Sequence, residues 1–174
     1  SGDNFESRPP PGNLPVVYNL VMNFSVRRAK LTDLKTIQDL NHQLFLSDSR
    51  FDPELFNDWA YSPAGRKYFE RSLKPEPRAG AWVAEAGGKI VGYLVGWVWI
   101  KRAWRPIKTA ELENMFVLRD YRHRGVGSAL VKEFIDWCKK KKVKSVEVWA
   151  QFKNELGKRF YQASGFAPTR QMFE

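Results

Sequence analysis

One segment organises the whole chain, and it reads Val117-Leu118-Arg119-Asp120-Tyr121-Arg122-His123-Arg124-Gly125-Val126-Gly127-Ser128-Ala129-Leu130. An apolar strand ends where the segment starts, an arginine-rich turn follows, and two glycines open an amphipathic helix. Glycine has no Cβ, so an anion can approach the backbone closely there. The first amides of a helix have no partners within the helix, and the helix dipole adds a favourable potential for negative charge. The segment therefore predicts a phosphate or pyrophosphate site, to which Arg122 and Arg124 add full positive charges.

The spacing Arg-x-x-Gly-x-Gly, from Arg122 to Gly127, separates this loop from two other phosphate-binding loops. A Rossmann fingerprint has a third glycine, which is missing here, and a P-loop continues into Gly-Lys-Ser or Gly-Lys-Thr, which is also missing. A turn whose glycines serve only tight packing is the alternative interpretation. The strand before the loop and the helix after it favour a binding loop.

Apolar periodicity on both sides of the loop predicts the order β-α-α-β-β-β-α-β-α-β. The helix after the loop extends from Gly125 to about Lys141, and Thr32 is the predicted N-cap of the first helix. The other predicted strands are Phe24–Ala29, Ala81–Ala86, Lys89–Ile100, Thr109–Leu118, Val143–Ala150 and Phe166–Phe173. The first helix is predicted to end near Leu46, and the remaining predicted helices are Asp52–Tyr61, Pro63–Leu73 and Asn154–Ser164.

A hairpin meander that runs into a β-α-β crossover indicates an α/β chain of the α+β type. We expect a mixed, mostly antiparallel central sheet flanked by helices. Residues 1–23 contain four prolines, Pro9, Pro10, Pro11 and Pro15, and are predicted to form an N-terminal tail. Residues 24–174 are predicted to form a single domain, for which their length is sufficient.

Composition limits the class of protein further. The formal net charge of +10, from 29 Lys plus Arg against 19 Asp plus Glu, favours an anionic partner such as nucleic acid, an acidic membrane surface, an acidic protein or a polyphosphate cofactor. Cys138 is the single cysteine, which excludes a disulfide scaffold and a CxxC metal site and is compatible with a cytoplasmic location. No apolar stretch is long enough to span a bilayer as a helix, and no membrane partner is expected. No metal is expected either.

Two signatures resemble the GNAT superfamily of acetyl-CoA-dependent N-acetyltransferases. The loop from Arg122 to Gly127 looks like the family's acetyl-CoA loop, Arg/Gln-x-x-Gly-x-Gly/Ala. Asn154, then Phe160-Tyr161, then Gly165-Phe166 resembles the Asn…Phe-Tyr…Gly-Phe segment on the following helix. The resemblance covers about Phe24 to Phe173. It implies a GNAT-like acyl-CoA N-acyltransferase fold, acetyl-CoA as co-substrate and transfer to a primary amine.

The resemblance also implies a role for each matching residue. The loop amides would hold the pyrophosphate of CoA, and the strand before the loop would pair with the pantetheine arm and supply an oxyanion-hole amide. Tyr161 would protonate the leaving thiolate. The cofactor-binding residues implied in this way are Met115, Phe116, Val117, Arg122, His123, Arg124, Gly125, Val126, Gly127, Ser128, Ala129, Asn154 and Phe160.

A base is needed because an alkyl ammonium of pKa about 10.4 is neutral in only about one molecule in a thousand at pH 7. Glu113 lies in the middle of an apolar strand, and a Glu occupies the matching place in polyamine-acetylating GNAT members. Glu111, two residues earlier, should point to the same side and raise the pKa of its neighbour. Glu113 is the first candidate for the catalytic base and Glu111 is the second. The alternative is that both are exposed strand residues or form salt bridges with the basic loop 101–108.

The acceptor site is expected between residues 45 and 59 and in the loop 101–107, where Trp104 is a candidate lining residue. Carboxylates in the first of these segments suit a cationic acceptor such as a polyamine, an aminoglycoside or a peptide amine, although they are equally typical of a helix surface. They are Asp48, Asp52, Glu54 and Asp58.

Other classes of function remain as alternatives to an enzyme. One is a CoA-binding sensor or scaffold without catalysis. Another is a nucleic-acid-binding domain, suggested by the net charge and the run Lys139–Lys142 but disfavoured because no recognition-helix or RNP-like pattern is present. A homodimer, with a contribution from Val16–Met22, is a further expectation.

Overall fold

The computed structural model of the chain describes residues 23–101 and 106–172. Nearly all of the predicted tail over residues 1–23 therefore lies outside the described residues. Trp104, most of the loop that was expected to contribute to the acceptor site, and the last predicted strand residue, Phe173, lie outside them as well.

The described chain forms one five-stranded sheet with helices on both faces. The strands are β1 (Phe24–Arg28), β2 (Ala79–Ala86), β3 (Lys89–Lys101), β4 (Ile107–Val117) and β5 (Ser145–Val148), and the helices are α1 (Leu34–Asp48), α2 (Pro63–Leu73), α3 (Val126–Lys140) and α4 (Glu155–Ala163). Single 3₁₀ turns lie at Leu31–Asp33, Trp59–Tyr61 and Arg119–Tyr121. Strand order follows chain order, with antiparallel pairing from β1 to β4 and parallel pairing of β4 with β5. The predicted fold class is confirmed.

Successive side chains along each strand point to opposite faces of the sheet, so the hydrophobic core has one part on each face. On β3, Leu94 packs with Leu130 and Phe134 of α3, whereas Tyr93 packs with Ile37 and Phe69 on the α1–α2 side. The described helices include none that is long and apolar enough to cross a bilayer.

The start of α1 differs from the prediction. Thr32 is not its N-cap, because the 3₁₀ turn Leu31–Asp33 precedes the helix. The carboxylate of Asp33 instead accepts a hydrogen bond from the backbone N–H of Lys30 at 2.7 Å. The same carboxylate is paired with Arg27 at 2.8 Å and is nearly buried, so this paired acid fixes the turn in place of the threonine.

Two predicted elements are wrong within the described residues. The segment 52–61 is helical only at the 3₁₀ turn Trp59–Tyr61, and its preceding residues are held as a loop by a hydrogen bond between His42 Nδ1 and the Asn57 carbonyl at 3.0 Å. No strand forms over residues 166–172. Gly165 turns the chain with φ of +91°, and Pro168 has no N–H to donate to a neighbouring strand.

The sheet splits between β4 and β5. Their parallel pairing covers only four residue pairs, from Thr109 opposite Ser145 to Leu112 opposite Val148. β4 continues to Val117, whereas β5 ends at Val148. The two strands therefore part beyond Leu112, and the opening lies beside the N-terminus of α3.

Candidate functional site

The split leaves an edge of β4 without a strand neighbour. In the part of the chain that the structure describes, no strand pairs with residues 113–117 on the β5 side, although β3 pairs with residues 114–117 on the other side. An unpaired strand edge offers backbone N–H and C=O groups to an extended ligand. Met115, Phe116 and Val117, the predicted pantetheine-binding residues, lie on this stretch.

The N-terminus of α3 lies at the end of that edge. Gly125 occupies the N-cap position with φ of +83°, and no side chain caps the helix. A Cβ at Gly125 would come no closer than 4.0 Å to Phe24, so the backbone is open to a ligand. The flanking loop from Arg122 to Gly125 is exposed, as is Ser128 in the first turn of the helix. Unpaired helix amides beside exposed arginines suit a pyrophosphate.

Arg122 is partly engaged by the protein. Its Nε donates to the Val117 carbonyl at 2.8 Å, and its guanidinium lies 5.1 Å from the centre of the Phe116 ring. Burial lowers the pKa of Arg122, and the positive charges of Arg119 and Arg50 lower it further. Arg122 therefore joins the loop to the end of β4, while Arg124 is exposed and faces solvent.

Gly127 has a different requirement from Gly125. A Cβ at Gly127 would lie 3.1 Å from the Phe160 ring, so the absence of a side chain allows α4 to approach α3. Phe160 is half-buried and packs against the α3-side core. The two glycines of the loop therefore meet different requirements. Gly125 adopts a left-handed backbone conformation and leaves the backbone accessible, whereas Gly127 allows the two helices to pack closely.

Asn154 and Tyr161 approach the split from α4. Asn154 is the N-cap of this helix, and its Oδ1 accepts from the Gly157 N–H at 2.9 Å, which leaves its NH2 group as the end that can bind a ligand. Tyr161 packs edge-on against Phe160 and Phe166. Burial raises the pKa of Tyr161 to about 12, and the negative charge of Asp48 at the end of α1 also raises it.

A β-bulge places Glu113. Leu112 pairs with Gly96 and Asn114 pairs with Val95, so Glu113 is an extra residue without an opposite partner in β3. Before the bulge Leu112 packs on the α3 side, and after it Met115 does so. Glu113 and Asn114 consequently lie together on the α1–α2 side.

Glu113 is held by a hydrogen-bond network from α1 and α2. The hydroxyl of Tyr68 donates to Glu113 Oε2 at 2.5 Å and accepts from Asn114 Nδ2 at 3.0 Å. Asn41 Nδ2 in turn donates to Asn114 Oδ1 at 3.2 Å and to the Tyr93 hydroxyl at 2.9 Å. Sequence reasoning missed Tyr68, Asn114 and Asn41. A usable signal was present only for Asn41, a polar residue on the apolar face of the first helix.

The environment of Glu113 raises the pKa of its carboxyl group. Burial is the main cause, the hydrogen bond from Tyr68 acts in the opposite direction, and the negative charge of Glu111 raises the pKa further. The influence of Glu111 is the one expected from the spacing of the two carboxylates. A carboxylate with a raised pKa can accept a proton more readily near neutral pH.

Glu113 and Asn114 line a pocket of about 430 Å³. Its other lining residues are aromatic or apolar: Phe45, Leu55, Phe56, Trp59 and Tyr68. The four carboxylates expected near the acceptor do not belong to this lining, and Asp58 lies instead 3.3 Å from His42 Nδ1. The pocket can accept an apolar molecule and present one carboxylate to it.

The basic end of α3 is partly neutralised. Asp136 pairs with Lys132 at 2.7 Å and with Lys139 at 3.5 Å, and Lys141 Nζ lies 5.2 Å from the centre of the Trp137 ring. No group of three or more His, Cys, Asp or Glu residues that could hold a metal ion is present among the residues described.

The chain matches the model of the acetyltransferase (GNAT) family over residues 40–166. An uncharacterized N-acetyltransferase of Methanocaldococcus jannaschii is 31% identical over 153 residues, which cover 86% of this chain. The chain spans 63% of the length of that relative.

Solved structures show the same fold. The tetramutant of the BH1408 protein from Bacillus halodurans superposes with a TM-score of 0.77 at 21% identity, covering 86% of this chain and 97% of that one. An aminoglycoside N-acetyltransferase, AAC(6')-Iy, in complex with CoA gives a TM-score of 0.69 at 20% identity. The superposition covers 88% of this chain and 93% of that one.

Proposed function

The chain belongs to the acetyltransferase (GNAT) family, and we propose that it transfers the acetyl group of acetyl-CoA to a primary amine by direct attack in a ternary complex. One observation carries this proposal. Glu113, a half-buried carboxylate with a raised pKa, lines a pocket directly beside the unpaired edge of β4. An acyl acceptor and an extended acyl donor can therefore meet at one bulge of one strand.

On the donor side, we assign the pyrophosphate of acetyl-CoA to the uncapped amides at the start of α3, with the exposed Arg124 of the preceding loop as a charged contact. The free edge of residues 113–117 would pair with the pantetheine arm and bring a backbone N–H to the thioester oxygen. The NH2 group of Asn154 would donate to the same arm. These residues would bind and orient the donor.

On the acceptor side, Glu113 would take a proton from the amine, directly or through a water molecule. The neutral nitrogen then forms a bond to the acetyl carbon and releases its extra proton to water, and the carbon–sulfur bond breaks with its electron pair on sulfur. Tyr68 would hold the carboxylate in place through the hydrogen bond at 2.5 Å. Glu111 is the less favoured base, because it is Glu113 that lines the pocket.

Tyr161 would stabilise the departing thiolate. With a pKa raised to about 12, its phenol is protonated at neutral pH, but it is a weaker acid than a thiol of pKa about 8.5. A hydrogen bond to the thiolate is therefore its main contribution, and the proton that finally reaches sulfur can come through Tyr161 from water.

The proposal is tested by measuring acetyl-CoA binding by calorimetry and acetyl transfer to a panel of primary amines by thiol release. We expect acetyl-CoA to bind, and Arg124→Gln to weaken binding on the order of 10-fold by removing a charged contact. Lys67→Gln, an exposed residue of α2, is the control and should leave the affinity unchanged. Binding without thiol release for any amine would instead indicate a CoA-binding sensor or scaffold.

A further inference from the structure

We infer that the acceptor is a monoamine whose amino group is joined by a short linker to an apolar, ring-bearing body. The inference rests on the proposed function, because it concerns the same pocket, and it chooses among the amine classes that the family match leaves open. It excludes polyamines and aminoglycosides as the preferred acceptors.

The walls of the pocket carry the first part of the argument. Four of its seven lining residues are aromatic: Phe45, Phe56, Trp59 and Tyr68. Trp59 stacks on Phe45 with ring centres 5.9 Å apart and packs against Tyr68 at 5.4 Å, so these rings form a continuous surface. Such a surface gains free energy by covering an apolar ring.

The charge of the pocket carries the second part. Glu113 is the one carboxylate among its described lining residues, and it is also the proposed base. A polyamine or aminoglycoside would place its remaining ammonium groups against Phe45, Leu55 or Trp59, where an unpaired charge is costly. A monoamine leaves no such charge, because its one cationic group is placed at Glu113.

The size of the pocket agrees with a small acceptor. A volume of about 430 Å³ lies in the lower part of the range typical of small-molecule sites. Phe56 is 59% exposed and therefore lies towards solvent, where it can cover the ring of a bound acceptor.

The test compares 2-phenylethylamine with propylamine, spermidine, kanamycin and a short peptide with an N-terminal alanine. We expect kcat/KM for 2-phenylethylamine to exceed that for each of the others on the order of 10-fold or more, since burying a ring gains this much in an apolar pocket. Calorimetry in the presence of CoA should show the same order of affinities independently of turnover.

A matched pair of variants locates the effect. Phe56→Ala should remove most of the advantage of 2-phenylethylamine over propylamine. Leu31→Ala truncates another exposed apolar residue, which lies just before the start of α1 and does not line the pocket. This variant should leave the advantage intact.

Three results would overturn the inference. Preferred acetylation of spermidine, kanamycin or the peptide would do so while the proposed acetyl transfer stands. An equal loss of the preference for 2-phenylethylamine over propylamine in Phe56→Ala and Leu31→Ala would show that the ring of the acceptor does not bind beside Phe56. Acetylation of no amine by folded protein that binds acetyl-CoA would overturn both the inference and the proposed function.

Discussion

Glu113 occupies its position because β4 contains one residue more than β3 between two paired positions. Its carboxyl group is thereby turned towards Tyr68 and away from the α3-side core. Glu113 is the proposed base, accepts the hydrogen bond from Tyr68 and lines the pocket, so the clearest predictions at the residue scale concern proton transfer.

Glu113→Gln should lower kcat on the order of 10²- to 10⁴-fold, since an amide cannot accept the amine proton. In the unchanged protein, kcat should fall on the acidic side as Glu113 becomes protonated, at a pH above that of an ordinary glutamate because its pKa is raised. The pH profile of kcat checks this, with acetyl-CoA affinity as the control. A variant that retains the acidic limb would show that another group is the base.

Tyr68→Phe and Glu111→Gln should move that acidic limb in opposite directions. The hydrogen bond from Tyr68 lowers the pKa of Glu113, so its removal should move the limb to higher pH. The negative charge of Glu111 raises the same pKa, so its removal should move the limb to lower pH. Limbs that coincide in the two variants would contradict the assignment of Glu113.

Tyr161→Phe should reduce the rate with a thioester of ordinary leaving-group pKa by up to about 10²-fold, because the thiolate loses its hydrogen-bond donor. The loss should be smaller for an acetyl donor whose thiol is more acidic, since that thiolate needs less stabilisation. The ratio of the two rates, measured for both proteins, is the readout. A loss independent of the leaving group would assign Tyr161 to packing.

At the scale of elements, the loop and α3 were predicted correctly because their signals are local. Gly125 with its left-handed φ, the arginines before it and the apolar stripe of α3 all lie within one short segment. The bulge at Glu113 could not be predicted in this way, since it depends on how β4 pairs with Gly96 and Val95 of β3. Tyr68 is 45 residues from Glu113 in the chain, and only the packing of α2 brings them together.

The contact between α3 and α4 gives a prediction about stability. Gly127→Ala should lower the free energy of unfolding by up to about 2 kcal/mol. The added methyl group would lie 3.1 Å from Phe160, and this crowding is partly offset by the gain of about 1 kcal/mol from the higher helix propensity of alanine. Phe160→Leu in the same chain should recover part of that loss. Urea denaturation of the two single variants and the double variant measures the coupling. Strictly additive losses would show that the two residues do not meet.

At the scale of the whole molecule, the predicted mixed sheet is confirmed. Its important feature is the separation of β4 from β5 beyond Leu112. The order of elements predicted that β4 and β5 would be linked by a β-α-β crossover in a mixed sheet. It did not predict the residue at which β5 ends. The end of the pairing at Val148 depends on tertiary packing, which the order of elements does not encode. The proposed donor site is this split, and the proposed acceptor pocket lies beside it at Glu113.

The central claim is that acetyl-CoA occupies this split, and amide hydrogen exchange with and without acetyl-CoA tests it most directly. We predict slower exchange in residues 113–117 and at the start of α3, from Val126 to Ala129, with little change in β1 and β2. Protection confined to other parts of the sheet, or none despite calorimetric binding, would contradict the account.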